Sequence, residues 1–176
     1  MTTRTMLPFS EYLKLPEDDP QKYEMIEGEL YAMPQPRFKH QRVAGRLMRL
    51  LDEFVDSRQL GRVCEPINLY QDEVNYVHPD ISYFTAAQAA MLEEELVVRL
   101  PPPLVVEVLS PSTAVKDRDA KRCWYANLGV QEYWLVDADR EVVEVIDLRS
   151  GMVQQTDPVR SSVLVGLELQ LARIFS

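Results

Sequence analysis

The run Leu104-Val105-Val106-Glu107-Val108-Leu109 constrains the fold more than any other stretch of this chain. It is apolar but for one acid, and proline bounds it on both sides, at Pro101-Pro102-Pro103 and at Pro111. The triple proline delivers the chain rigidly into the run, because each ring fixes its own φ. A short apolar segment between such breakers fits a strand buried at the centre of a sheet. The acid inside it then needs a partner, since an unpaired buried carboxylate is expensive. A cation, a hydrogen-bond network or a metal ion would each serve.

The surrounding pattern gives that strand neighbours. Ser10 precedes a short helical turn over Glu11-Tyr12-Leu13-Lys14-Leu15, which Pro16 ends. Residues Tyr23 to Met33 read as two short strands turning near Gly28. Val43, Ala44, Leu47, Leu50, Leu51, Phe54 and Val55 recur at three- and four-residue spacing and predict a long amphipathic helix, with Gly61 at its exit. Arg62 to Phe84 is strand-like between polar turns, and Ala86 to Glu95 reads as helix. A helix is expected from about Val115 to Leu128, stopped by Gly129. Glu132 to Val136 and Val142 to Leu148 read as strands, Met152 to Thr156 as a weak one, and Leu167 to Phe175 as a short terminal helix. Strands in the middle with two substantial helices beside them predict an α/β chain, a mixed sheet covered by helices. At 176 residues it fits one domain.

A second acid joins the first. Asp80 stands in His78-Pro79-Asp80-Ile81, at the start of an apolar strand, 27 residues before Glu107 (107 − 80). Carboxylates at the ends of adjacent strands can converge on a hard cation such as Mg²⁺, which takes one or two of them and keeps several waters. Taken singly, Asp80 also suits a turn, and Glu107 a partnered structural glutamate or a residue facing solvent at an edge. As an ordered pair they read as a metal site.

The balance of Asp+Glu 28 against Lys+Arg 19, a formal charge of −9, argues against nucleic-acid binding through an overall basic field. It leaves room for a metal-dependent enzyme, whose carboxylates a bound cation offsets. Cys64 and Cys123 lie outside any C-x-x-C pattern, as expected of a reduced chain. Met1 to Leu15 lacks the apolar run of a signal peptide, and no stretch approaches the roughly 18 apolar residues of a membrane span, so a cytoplasmic location is expected. P-loop, dinucleotide, zinc and G-x-S-x-G patterns are absent.

An ordered set of segments carries a resemblance. Tyr23-Glu24-Met25-Ile26-Glu27-Gly28-Glu29-Leu30, His40 and Pro79-Asp80 come first. Leu104 to Thr113 follows, then Asp117, Lys121 and Tyr125, then Gly129-Val130-Gln131-Glu132-Tyr133-Trp134-Leu135-Val136-Asp137. Together, from about Phe9 to Phe175, they resemble the Uma-two family of restriction-endonuclease-like proteins, within the PD-(D/E)XK nuclease superfamily. The resemblance implies a restriction-endonuclease-like fold, a divalent metal (Mg²⁺, with Mn²⁺ an alternative) and hydrolysis of phosphodiester bonds in DNA. Asp80 would be the motif aspartate and Glu107 the second acid. The usual lysine two residues later is replaced by Leu109. The family's substitute lysine, from the following helix, matches Lys121.

Asp117, Lys121 and Tyr125 are spaced by four, so a helix would align them in one stripe from which Lys121 could reach the strand of Glu107. An ordinary Asp117–Lys121 pair on a solvated face is the equal alternative, with Lys116, Arg118 and Arg122 as competitors. Superfamily members often add an acid from an earlier element. Glu24 and Glu27 differ by three, so only one of them can face the site from an extended strand, and Glu27, before Gly28, is preferred. His40, at the start of the long helix, could meet phosphate or carry a proton. His78 would shape the turn before Asp80, and Tyr133 and Trp134 read as core aromatics. The expectation is a metal-dependent DNA endonuclease, by analogy a homodimer. The alternative is a nuclease-shaped binding module without turnover.

Overall fold

The apolar run is the fourth of six strands in the main sheet, and all five of its paired residues, Leu104–Val108, are buried. The computed structural model describes residues 7–15, 22–33, 35–95, 97–110 and 117–176. In chain order these form helix α1 (Phe9–Tyr12), strands β1 (Tyr23–Ile26) and β2 (Glu29–Ala32), and helix α2 (Phe38–Ser57). Strands β3 (Gly61–Cys64), β4 (Leu69–Asp72), β5 (Asn75–Val77) and β6 (Ile81–Thr85) follow, then helix α3 (Ala86–Leu92) and strand β7 (Leu104–Val108). A π-helical turn (Asp117–Lys121) runs into helix α4 (Arg122–Leu128). Strands β8 (Glu132–Asp137), β9 (Val142–Asp147), β10 (Val153–Gln154), β11 (Val159–Arg160) and β12 (Glu168–Leu169) lead to helix α5 (Leu171–Phe175).

The main sheet has the order β10-β9-β8-β7-β6-β3, and β7–β8 is its parallel pair. A parallel pair needs a crossover, which carries the π-helical turn and α4. A smaller antiparallel sheet, β2-β1-β5-β4, lies beside it, and β11–β12 form a two-stranded ribbon. This is the mixed α/β architecture that the order of strands and helices along the chain predicts.

Alternation along β7 divides the core. Leu104, Val106 and Val108 pack with Val43, Leu47, Leu51 and Val55 of α2, the predicted helical stripe, and with Ile174 and Phe175 of α5. Val105 takes the other face, with Trp124 and Tyr125 of α4, Tyr133 of β8 and Ile26, Leu69 and Val77 from the smaller sheet. The period of two therefore sends Glu107 to this second face, toward the π-helical turn.

Several boundaries differ from expectation for local reasons. Gly61 opens β3 rather than simply closing α2: its φ is +146°, and a Cβ there would stand 2.0 Å from the Phe84 carbonyl oxygen. The terminal segment divides, with Leu169 pairing with Val159 and α5 beginning only at Leu171. Two-residue strands offer too few alternating positions to register in sequence. The expected helix from Val115 begins, within the described residues, as a π-helical turn, and positions 115 and 116 lie outside them. No helix among the described residues is long and apolar enough to cross a membrane.

Candidate active site

Asp80 is the residue immediately before β6. The register that pairs Ile81 with Val106 carries it to the level of Glu107 on β7. One Asp80 oxygen, Oδ2, accepts the Val108 N–H at 2.8 Å and lies 3.3 Å from Nε2 of His40, on the first turn of α2. The turn reading of Asp80 and the site reading are thus compatible: its carboxylate ties the loop to β7 while lining an open cleft.

Glu107 has two donors on one oxygen. Lys121 Nζ and Tyr125 Oη both lie 2.7 Å from its Oε1. Lys121 Nζ is also 2.7 Å from Oε1 of Glu24, and that oxygen accepts the His78 N–H at 3.0 Å. Lys121, Glu24 and Glu107 are all buried, Lys121 to 1% exposure. Burial, with the Glu107 charge second, pushes the Tyr125 phenol well above its usual range, so it remains a donor at neutral pH. Burial likewise pushes His78 down, against the pull of Glu24. The His78 ring meets the Tyr23 carbonyl at 3.1 Å.

Of the nearby cations among the described residues, Lys121 is the one brought to Glu107. Arg118 Nη1 is 2.7 Å from Glu144 instead, and Arg122 donates to the Gly151 carbonyl at 3.2 Å. Lys116 and the side chain of Asp117 lie outside the described residues. The π-helical turn, with i→i+5 bonding, changes the angular spacing of its residues, and such turns recur at functional sites. The uniform four-residue stripe therefore does not describe this segment, although Lys121 and Tyr125 do reach one carboxylate.

The preference for Glu27 over Glu24 is corrected. Glu27 sits exposed on the β1–β2 turn with φ +51°, its N–H held by Asn75 Oδ1 at 2.7 Å. Glu24 takes the inward place because it shares a strand face with Ile26, which packs toward the main sheet. That signal was in the sequence: an acid two residues from a core isoleucine. Tyr133 and Trp134 are core residues, as expected.

A cleft of about 940 Å³ opens where the smaller sheet, the start of α2 and the β6–β7 edge meet. Glu24, His40, His78, Asp80, Glu107 and Lys121 all line it. Among these six, three carboxylates stand against one ammonium. Among the described residues no three His, Cys, Asp or Glu side chains converge closely enough to enclose an ion. Asp80 and Glu107 are the two carboxylates that the β6–β7 register brings to one level of the cleft, and a hard cation can be held by as few as one or two carboxylates with water completing its shell.

Glu132 shows what a purely structural acid looks like in this fold. Its two oxygens accept from Ser161 Oγ, Ser162 N–H, Ser162 Oγ and Trp134 Nε1, all within 2.8 Å, and no cation takes part in these bonds.

Residues 9–173 match the model of the Uma2 family, described as "Putative restriction endonuclease". Two proteins of Synechocystis sp. (strain ATCC 27184 / PCC 6803 / Kazusa) are similar in sequence. Uncharacterized protein sll1609 is 29% identical over 78% of each chain. Uncharacterized protein slr1290 is 33% identical over 73% of this chain and 67% of its own. The crystal structure of "a putative nuclease belonging to DUF820" from Anabaena variabilis ATCC 29413 superposes with a TM-score of 0.78 at 24% identity, covering 96% of this chain and 97% of that one. The fold is therefore nuclease-like.

Proposed function

Because the chain belongs to the Uma2 family, we propose that it hydrolyses phosphodiester bonds in DNA, with Asp80 and Glu107 holding a divalent cation, Mg²⁺ or Mn²⁺. One observation carries this reading. Glu107, on a central strand at the register level of Asp80, shares Oε1 with a buried ammonium and a phenol on the wall of an open cleft.

Each residue has a distinct task. Asp80, anchored by the Val108 N–H, offers a fixed carboxylate edge and orients His40. Tyr125, kept protonated by burial, fixes the Glu107 carboxylate. Glu24 holds Lys121 beside Glu107, where the ammonium adds positive charge toward a phosphate oxygen and helps position the attacking water. Lys121 thus takes the place of the lysine that Leu109 lacks. When bound, the cation supplies Lewis-acid polarisation of the phosphodiester and an activated water. Two copies of the chain would serve to cut both strands of a duplex.

A second reading is a nuclease-shaped binding module without turnover. It is favoured by the chain's formal charge of −9 and by Leu109 standing where the usual lysine would be. The two readings part in a cleavage assay on supercoiled plasmid with Mg²⁺ or Mn²⁺. Nicking by the wild type, abolished by chelation and by Asp80→Asn with an unchanged circular-dichroism spectrum, is expected. Cleavage retained by Asp80→Asn would overturn the assignment, and DNA binding without nicking would favour the module.

A further inference from the structure

Phe38, the first residue of α2, is 81% exposed, although the same helix buries Val43, Leu47, Leu51 and Val55 completely. Its sequence neighbours Arg37 and Lys39 both line the cleft, as do His40 and Gln41. His40 in turn contacts Asp80, so an aromatic ring stands two residues from the side chain that touches the acidic pair. Lys39 Nζ lies 3.0 Å from Oδ1 of Asp139, another cleft residue, in an exposed ion pair. Val165 is nearly as exposed, at 79%, but it is aliphatic and does not neighbour the cleft residues in sequence.

Charge alone holds nucleic acid poorly here. Four cations line the cleft (Lys22, Arg37, Lys39 and Lys121) against five acids, and the chain as a whole carries −9. Without a net positive field, attraction must come from contacts that do not depend on it. Base stacking on an aromatic side chain is such a contact, and it tolerates any sequence because every base has a π-face. It requires that the base be out of the duplex.

Resting on the nuclease reading above, we infer that Phe38, which flanks the cleft-lining residues Arg37 and Lys39 without lining the cleft itself, is a stacking platform beside the cleft that selects single-stranded or locally unpaired DNA over intact duplex. A base laid on the Phe38 ring brings its flanking phosphates to Arg37 and toward the Asp80–Glu107 edge. Phe38 therefore acts on affinity and strand preference, with the hydrolytic machinery left to other residues.

The test is fluorescence anisotropy of a labelled oligo-dT strand and of a duplex of the same length, in chelator so that no strand is cut. Wild type is compared with Phe38→Ala and Phe38→Trp. Because the ring is exposed, the fold should survive both changes. Phe38→Ala should weaken single-strand binding by roughly 5- to 150-fold, leave duplex binding unchanged, and be rescued by Phe38→Trp. Equal single-strand affinity in wild type and Phe38→Ala would overturn the inference, as would parallel losses on both substrates. Metal-dependent plasmid nicking by the wild type in that same case would leave the nuclease reading standing. A wild type that neither binds nor nicks would defeat both.

Discussion

Lys121 is the side chain whose removal the interior should tolerate least. Its ammonium is 2.7 Å from both Glu24 and Glu107, and all three groups are buried. Lys121→Met would leave two buried carboxylates without their cation, a change that costs about 3–5 kcal/mol where one partner of a buried pair is lost. Urea denaturation should show that loss, with part of it recovered in the Glu24→Gln/Lys121→Met double variant. A loss below about 1 kcal/mol would mean the carboxylates are satisfied without the ammonium. At this scale the sequence was informative wherever a residue broke its local pattern. Glu107 stood out because it interrupts an apolar strand, and Asp80 because it opens one. Lys121 did not stand out from Lys116, Arg118 and Arg122, since four basic residues share that segment and spacing alone cannot say which one turns inward. The three-residue spacing of Glu24 and Glu27 says only that one of them faces the site, and a place before Gly28 is a weak ground for choosing Glu27. The β1 alternation with Ile26 decides otherwise.

Strands and helices place these residues through backbone constraints that small substitutions can test. Gly61 begins β3 at φ +146°, with the Phe84 carbonyl where a Cβ would go. Gly61→Ala should therefore cost at least about 1–3 kcal/mol from backbone strain alone. Urea unfolding reads this directly, and a neutral outcome would contradict the close approach of β3 to β6. The β9–β10 turn offers a test by pH. Asp147 Oδ1 accepts the Ser150 N–H at 2.9 Å and the Arg149 N–H at 2.8 Å, and the Ser150 bond chiefly holds its carboxyl below the usual range. A lowered folded-state value means that the stabilisation is present above about pH 3.9 and is lost as pH falls through the lower folded value. An NMR titration should place the Asp147 midpoint below about 3.9; a midpoint at or above that value would sink the turn assignment. The long helix and the central strand were legible because each repeats its pattern over many positions. The β11–β12 ribbon was not, because two residues per strand carry almost no periodic signal. The π-helical turn escaped for a different reason: its spacing departs from the 3.6 period that sequence reading assumes.

Across the whole molecule, the proposed function asks an acidic chain to engage a polyanion through a cleft whose lining is near neutral. Four lining cations set a ceiling on counterion release, so the log–log salt slope for single-stranded DNA should be no steeper than about −3 (0.7 × 4). Anisotropy across a KCl series measures it. A slope steeper than about −5 would place the binding surface outside the cleft. The central claim remains the cation site at Asp80 and Glu107, and calorimetric titration of Mn²⁺ into wild type, Asp80→Asn and Glu107→Gln tests it most directly. The account predicts saturable binding in the wild type that is lost in both variants while their unfolding remains cooperative. Binding of undiminished affinity in either variant, or none in the wild type, would contradict it.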